Sequence, residues 1–305
     1  MSEMDKRRRI SVIGAGKVGT ALAVVLSSRG YEVTKVCDTS EERREGAAKL
    51  VGAEATDDCI EAARDTDIVL LTTTDGAIEG VCRRVAESGL DIAGKIFLHV
   101  SGAVPLSALD SAAGREAVVL CVHPLQTLAD LEGAIRSLPG STFAVTCSAD
   151  VEPWARGFVE DMGGRMLLVK EGDKTLYHAA AVVACNLLTI VEYAAFEACL
   201  GLGFSEQEAR EAFMPLVGAT VENIARIGAV ESLTGPLARG DTGTLEANIA
   251  ALERFEPEIA ELYRTVSLYG LRLVAERGEL DEDTIENMRS LLLSPASQAG
   301  TGEPG

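Results

Sequence analysis

Short apolar runs alternate with longer helical stretches from Ile10 to about Val169. Alternation of this kind is typical of a parallel sheet with helices on both faces. The first half of the chain is therefore predicted to be an α/β domain built on a mostly parallel sheet. Eight strands are expected, centred near Val12, Val33, Glu54, Val69, Phe97, Val119, Ala144 and Leu167.

The β pattern stops near Asp173, and the apolar residues that follow recur at the spacing of helices. Helices are predicted at about 174–201, 205–228, 242–254, 256–277 and 281–293. We therefore expect a first domain over residues 1–170 and an all-α substrate and dimerisation domain over 171–294. The last segment, 295–305, is rich in Gly, Ser and Pro and is expected to be a disordered tail.

Three glycines follow the first predicted strand with the spacing of a dinucleotide-binding turn. Gly14 permits a sharp turn, Gly16 lets the backbone approach a pyrophosphate, and Gly19 lets the next helix pack closely. Lys17 and Val18 open that helix, whose free N–H groups would face the phosphates. The sequence predicts a Rossmann-type domain with these five residues at the cofactor. A glycine turn without a nucleotide is the alternative.

Asp38 ends the second predicted strand, nineteen residues after Gly19. A carboxylate at this place is expected to accept hydrogen bonds from the ribose hydroxyls, and it would repel a 2′-phosphate. The predicted cofactor is therefore NAD or NADP, and Asp38 favours NAD. Arg43 and Arg44 follow shortly and could neutralise a phosphate.

Ligands of open α/β sheets bind beyond the carboxyl ends of the strands, so polar residues there are candidates. Thr73, Thr74 and Asp75 follow the fourth strand and are expected near the cofactor, although Asp75 could instead cap the next helix. Ser101 follows the fifth strand in a turn of small residues suited to lie under a nicotinamide ring.

The chain has only three histidines, and two of them follow strands on the expected cofactor side. His123 follows the sixth strand and is expected to contact substrate. His99 ends the fifth strand, where a structural hydrogen-bonding role is the simpler interpretation.

The third histidine lies on the helix predicted after the sheet. Lys174, His178 and Asn186 project to one side of a regular α-helix and could share a cleft wall. Lys174 or His178 would protonate the reacting oxygen, and Asn186 would hold the reacting group or the carboxamide. A buried polar trio within helix packing is the alternative.

A break between two predicted helices carries Arg239 and Asp241. A turn uses Gly and Pro but has no need of Arg. Arg239 could bind a substrate carboxylate with two hydrogen bonds, and Asp241 lies beside it. A local pair of Arg239 with Asp241 that fixes the loop is the alternative.

Composition narrows the possible partners of this 305-residue chain. Its net charge of −19 makes nucleic acid an improbable partner. The seven cysteines form no CxxC pair, the start of the chain lacks the apolar region of a signal peptide, and the apolar stretch 179–191 is short for a membrane span. A cytoplasmic protein without a metal centre is expected.

Five stretches carry a family resemblance: IGAGKVGTAL, HVSGA, HPLQT, YHAAAVVACN and LTGPLARGD. The chain is similar to the superfamily of β-hydroxyacid and 6-phosphogluconate dehydrogenases, ketopantoate reductase and pyrroline-carboxylate reductase. It most resembles Rossmann-like oxidoreductases whose helical half is a domain of unknown function. Relatives place Lys and Asn four residues apart on a helix, whereas this chain has Lys174 and His178 at that spacing.

The resemblance implies an NAD(P)-dependent oxidoreductase that forms a homodimer through the helical half. It would transfer hydride between the cofactor and a small carbonyl or hydroxy compound bearing a carboxylate, with ketopantoate-like 2-oxo acids as the first expectation. The alternative is a non-catalytic dinucleotide-binding protein that senses redox state or acts as a scaffold, because a fold alone does not establish catalysis.

Overall fold

The computed structural model describes residues 9–294. The chain divides by contacts into two units, Met1–Cys185 and Asn186–Gly305. The sequence places this division earlier, at 170/171. The difference arises because the helix after the last strand buries Lys174 within the first unit.

An eight-stranded sheet forms the centre of the first unit, as predicted. Its strands lie in the order β3-β2-β1-β4-β5-β6-β7-β8, and every neighbouring pair is parallel except β6 and β7. The bounds are β1 Arg9–Ile13, β2 Glu32–Cys37, β3 Glu54–Thr56, β4 Ile68–Leu71, β5 Ile96–His99, β6 Val118–Leu125, β7 Thr142–Thr146 and β8 Arg165–Leu168.

Both faces of the sheet are covered, because its central strands are apolar on both sides. In β4, Ile68 and Leu70 join one buried cluster, whereas Val69 and Leu71 join another. This is the period of two that a strand imposes. The helices are α1 Lys17–Ser28, α2 Glu41–Val51, α3 Cys59–Arg64, α4 Asp75–Ala86, α5 Asp110–Ala113, α6 Leu131–Ser137 and α7 Glu152–Asp161.

The helix after β8 changes its winding part-way. It begins as α8, Lys174–Val182, passes through a π-helical turn at Val183–Leu187, and continues as α9, Leu188–Gly201. A π turn inserts an extra residue into the helical repeat, so positions beyond it rotate relative to a regular α-helix.

The second unit is helical, as predicted, and it has its own core. Its helices after α9 are α10 Glu206–Ser232, α11 Gly235–Arg239, α12 Thr242–Phe255, α13 Pro257–Arg277 and α14 Glu282–Leu293. Helices α11 to α14 bury a shared cluster: Leu237, Leu245, Ile249, Leu271, Val274, Met288 and Leu292. The predicted disordered tail lies outside the described residues.

One prediction for the helical half is wrong. The segment around Pro236, expected to be an open turn, forms the short helix α11. Proline is favoured in the first turn of a helix, and Gly240 ends α11 in the left-handed conformation that glycine adopts freely.

The helix Glu171–Gly201 is long and apolar enough, by length and composition alone, to cross a membrane. Its continuous winding through the π turn makes it longer than the apolar stretch 179–191 read from the sequence. Only 6% of its most apolar window is buried.

Candidate functional site

The glycine turn after β1 has the geometry that was predicted for Gly14 and Gly19. Gly14 has a φ of 109°, and a Cβ there would lie 2.5 Å from the backbone of Thr72. A Cβ at Gly19 would lie 2.0 Å from the Gly14 carbonyl oxygen, so only glycine lets α1 pack this closely. At Gly16 a Cβ would meet nothing within 4 Å, which leaves the approach to the turn open.

Lys17 and Val18 begin α1 on opposite sides of this turn. Lys17 is exposed, and its Nζ donates a 2.6 Å hydrogen bond to the carbonyl oxygen of Ala129 in the loop between β6 and α6. Val18 is half-buried and packs against the core. Lys17 therefore links the glycine turn to the neighbouring loop at the same edge of the sheet.

Asp38 lies beside the glycine turn at the carboxyl end of β2. Its Oδ2 accepts a 2.8 Å hydrogen bond from the N–H of Ala15, and its Oδ1 accepts one of 2.8 Å from the N–H of Ser40. A carboxylate offers about four lone-pair sites, so both oxygens keep capacity for ribose hydroxyls. Arg44 donates at 3.4 Å to the carbonyl oxygens of Asp38 and Thr39.

Thr73, Thr74 and Asp75 follow β4, which is the neighbour of β1 in the sheet. Thr74 is the N-cap residue of α4, and Asp75 is the first residue inside this helix and is exposed. The suggestion that Asp75 caps α4 is therefore wrong. Its charge remains in the first helical turn, where a carboxylate is favourable.

The loop after β5 is held by hydrogen bonds to its own side chains. Nδ1 of the fully buried His99 accepts at 3.2 Å from the N–H of Ser101. Oγ of Ser101 accepts from the N–H groups of Ala103 and Val104 at 3.2 and 3.0 Å. Ser101 thus shapes the turn on which a nicotinamide ring was predicted to lie.

Gly102 lies in this loop between the imidazole rings of His123 and His178. A Cβ built on Gly102 would lie 2.7 Å from Nδ1 of His178 and 3.0 Å from Nε2 of His123. The two rings are nearly perpendicular, with centroids 6.1 Å apart. The two histidines singled out in the sequence are therefore neighbours, and glycine is the residue that leaves room for both.

Tyr177 joins this cluster, although sequence reasoning passed over it. Its hydroxyl oxygen lies 3.1 Å from Nδ1 of His123. Tyr177 lies three residues after Lys174 and one before His178, so all three belong to one face of α8. That spacing was the signal available in the sequence.

Lys174 is buried, with 4% of its surface exposed. Its Nζ donates to the carbonyl oxygen of Ser101 at 3.3 Å, and the thiol of Cys121 donates to the same oxygen at 3.2 Å. Both side chains line one small gap with Gly102, His123 and Tyr177. Lys174 therefore holds the Ser101–Gly102 backbone from the side of the sheet.

Burial keeps the imidazoles of His99 and His123 in the neutral form. It lowers the pKa of His99 to about 3 and that of His123 to about 4, and in both cases Lys174 adds to the effect. Burial also raises the pKa of the Tyr177 hydroxyl to about 12. At neutral pH the cluster therefore contains phenol and imidazole groups that can both donate and accept protons.

The expectation that Lys174, His178 and Asn186 share one side of a regular helix is wrong. Asn186 lies in the π turn and is exposed. It is also the first residue of the second unit. The π turn changes the rotation on which the projection depended.

Arg239 and Asp241 lie at the end of α11 and the start of α12. Asp241 is the N-cap of α12, and it accepts hydrogen bonds from the N–H and the hydroxyl of Thr244 at 3.0 and 2.7 Å. These bonds lower its pKa, with a smaller effect from Arg239. Arg239 is exposed. Asp241 therefore fixes the start of α12.

Within residues 9–294, no group of three or more His, Cys, Asp or Glu side chains could hold a metal ion.

Two family models match the chain. Residues 2–124 match the Rossmann-like domain, and residues 141–269 match DUF2520, a domain of unknown function. The chain therefore contains a segment similar to a Rossmann-like domain followed by a segment similar to a DUF2520 domain. This order confirms the resemblance drawn from the sequence motifs. None of the curated proteins matches the chain significantly.

Solved structures share the fold of this chain. A Bacteroides fragilis protein assigned as an NADP oxidoreductase is 20% identical with a TM-score of 0.72, covering 90% of this chain and 100% of its own. An imine reductase from Myxococcus stipitatus bound to NADP⁺ is 18% identical (TM-score 0.64; 92% and 99% covered). A pyrroline-5-carboxylate reductase from Coxiella burnetii is 16% identical (0.56; 93% and 98%). Such identities show the fold alone.

Proposed function

We propose that this protein is an NAD(P)-dependent oxidoreductase. It transfers hydride between the nicotinamide C4 atom and a small carbonyl or hydroxy compound that carries a carboxylate. The observation that carries the proposal is the cluster of His123, Tyr177 and His178 around Gly102. A protein that only holds a dinucleotide has no need of such a cluster.

The position of the cluster fits a bound dinucleotide. The glycine turn follows β1, and the cluster lies where β5 and β6 end, two and three strands further along the sheet. His123 lies inside β6 and not after it as predicted, because β6 continues to Leu125. Strands are about 4.8 Å apart, so His123 lies roughly 15 Å along the edge from the glycine turn. A dinucleotide with its pyrophosphate at Gly16 would extend along this edge, with the nicotinamide against Ser101 and Gly102.

Asp38 supports a preference for NAD over NADP. It stands where the adenosine ribose would lie, and its negative charge opposes a 2′-phosphate. The guanidinium of Arg44 already donates to backbone carbonyl groups. The exposed amino group of Lys17 is available to the pyrophosphate, and Thr73, Thr74 and Asp75 would border the cofactor.

His178 is the proposed proton donor to the oxygen of the reacting carbonyl group. Its Nδ1 is buried without a hydrogen-bond partner among the described residues. Lys174, the other candidate, directs its Nζ to the Ser101 carbonyl oxygen. Asn186, Arg239 and Asp241 belong to the second unit, and their roles in orienting the reacting group and binding the carboxylate stay predictions from the sequence.

A substrate panel tests the proposal. The full-length protein would be mixed with NADH or NADPH and with 2-oxo acids, ketopantoate among them, and nicotinamide absorbance would be followed. Pyrroline-5-carboxylate and other cyclic imines belong in the panel, because two solved structures of the same fold are named as a pyrroline-5-carboxylate reductase and an imine reductase. Oxidation of the cofactor in the presence of either the 2-oxo acids or the cyclic imines identifies the substrate class. Cofactor binding without turnover across both classes would support the redox sensor or scaffold instead.

We also propose a homodimer formed through the helical unit. Its helices α9 and α10 expose large apolar side chains, among them Ile190, Tyr193 and Leu216, which are 54%, 63% and 62% exposed. A water-exposed apolar surface of this extent is costly, and a second copy of the chain would cover it. A dimer rather than a membrane then accounts for the apolar helix Glu171–Gly201, in keeping with a cytoplasmic protein.

A further inference from the structure

We propose that Tyr177, His123 and His178 form a proton relay that resupplies the acid of the proposed reductase. Tyr177 is assigned here as the proton source at the far end of this relay, and it acts through the two imidazoles without touching the substrate. The inference rests on the proposed function for its chemistry. Its geometry rests only on contacts within the first unit.

The first link joins Tyr177 to His123. The hydroxyl oxygen of Tyr177 lies 3.1 Å from Nδ1 of His123. A phenol is a better proton donor than a neutral imidazole N–H, and an imidazole nitrogen is a better acceptor than a phenol oxygen. Tyr177 therefore donates and Nδ1 of His123 accepts, which places the His123 proton on Nε2.

The second link crosses Gly102. Nε2 of His123 and Nδ1 of His178 approach Gly102 from two sides, and the perpendicular rings have centroids 6.1 Å apart. At this centroid distance, turning the rings in place leaves the two nitrogens beyond hydrogen-bond length, so the link forms when one imidazole also moves toward the other. Nδ1 of His178 is buried and has no other partner within the described part of the chain. Accepting from His123 would satisfy it and would leave the proton of His178 on Nε2.

The relay moves one proton through three bonds. Hydride from nicotinamide C4 adds to the carbonyl carbon, and the new alkoxide oxygen takes the Nε2 proton of His178. Nδ1 of His178 takes the Nε2 proton of His123, and Nδ1 of His123 takes the Tyr177 proton. An alkoxide is a stronger base than a phenolate, so the sequence runs downhill. Solvent then returns a proton to the half-buried Tyr177.

The contact between the two imidazoles requires glycine at position 102. Gly102 is buried in the loop after β5, and any Cβ there would displace both imidazoles. The loop is held by His99 through Ser101 and by Lys174 through the Ser101 carbonyl. The two groups that fix Gly102 therefore also fix the distance between His123 and His178.

Nitrogen NMR tests the relay directly, because the chain has only three histidines. The spectra would be measured on the free, full-length protein labelled with ¹⁵N-histidine at about pH 8. We expect His123 and His178 to carry their protons on Nε2. In Tyr177→Phe, His123 should become a mixture of tautomers. Tyr269→Phe removes the hydroxyl of an exposed tyrosine on α13, which makes it the matched control, and it should leave all three signals unchanged.

Kinetics supply the second readout. Tyr177→Phe should lower kcat by about tenfold or more, within the usual range for proton-transfer groups, with KM and cofactor affinity unchanged. A His123 proton on Nδ1 in the unaltered protein would overturn the relay, and so would an unchanged tautomer in Tyr177→Phe. If NMR finds the expected tautomers but no substrate is turned over, the hydrogen-bond geometry of the relay is supported and the proposed reaction is refuted.

Discussion

The N–H of Ala15 donates a 2.8 Å hydrogen bond to Oδ2 of Asp38, which joins the glycine turn to the end of β2. One carboxylate thus stabilises the loop that would hold the pyrophosphate and stands where the ribose would bind. Cofactor affinity and cofactor choice should therefore both depend on Asp38.

Asp38→Asn removes the negative charge and leaves one acceptor oxygen for the two backbone N–H groups, of Ala15 and Ser40, that donate to the carboxylate. The change should weaken NADH binding by about tenfold, the scale of a lost charged hydrogen bond, and should weaken NADPH binding less. Calorimetry with both cofactors measures this, and Asp283→Asn, in the first turn of α14 in the second unit, is a control of equal charge. Tighter binding of NADPH than NADH by the unaltered protein would contradict the preference for NAD.

Gly102→Ala should disturb the imidazole cluster and leave the fold intact. The new Cβ would lie 2.7 to 3.0 Å from atoms of His178 and His123, so both rings must shift. Turnover should fall by about 10²-fold, because a small misplacement of reacting groups is costly. Gly80→Ala in α4 is the control, since its Cβ would meet nothing within 4 Å. Equal turnover in the two variants, measured beside their melting temperatures, would refute the role of Gly102.

Stability should decrease as the pH falls below about 6.5. Burial, with Lys174 and neighbouring imidazoles, lowers the pKa of His99 to about 3 and of His123 to about 4, from 6.5. At pH values between these folded-state pKa values and 6.5, the histidines of the unfolded chain bind protons that those of the folded chain do not. Each histidine therefore costs up to about 1.4 kcal/mol of unfolding free energy per pH unit. Asp75 opposes the effect slightly at His123.

Urea unfolding at several pH values, with the unaltered protein and His99→Gln, measures this dependence. The variant removes one of the two titrating groups, so its stability should decline less steeply with acid. An identical slope in both proteins would show that His99 does not contribute.

The helical unit should associate as a dimer at micromolar concentration. Ile190→Glu places a charge on the exposed apolar side of α9 and should shift the protein toward the monomer in light scattering. Leu50→Glu, at a 57% exposed position of α2 in the first unit, is the matched control and should not change the mass. A monomeric unaltered protein, or one that sediments only with lipid vesicles, would exclude the proposed dimer.

The sheet could be predicted from the sequence because its signals are local. Each strand has its own β-branched run, and the glycine turn requires three glycines at fixed spacing. The contacts that form the site join residues that are far apart in the chain. Tyr177 and His123 are 54 residues apart in the chain, and no periodic pattern in the sequence predicts their contact.

Other differences come from local winding and capping. The π turn at Val183–Leu187 changes the rotation per residue on which the predicted direction of Asn186 depended. Lys174 was expected at a cleft wall, yet its alkyl chain is buried and its amino group reaches a backbone carbonyl. Asp241 looked like a partner for Arg239 but caps α12, because a free N–H group at a helix start attracts a short acidic side chain.

Transfer of deuterium from C4-deuterated NADH to the substrate found by the panel tests the central claim most directly. The unaltered protein should place one deuterium on the reacting carbon of the product. His178→Ala should lower the rate by about 10²-fold, with melting temperature and cofactor affinity nearly unchanged. An undiminished rate in His178→Ala would end its assignment as the proton donor and favour Lys174. Bound cofactor without any deuterium transfer would contradict the claim that this protein is an oxidoreductase.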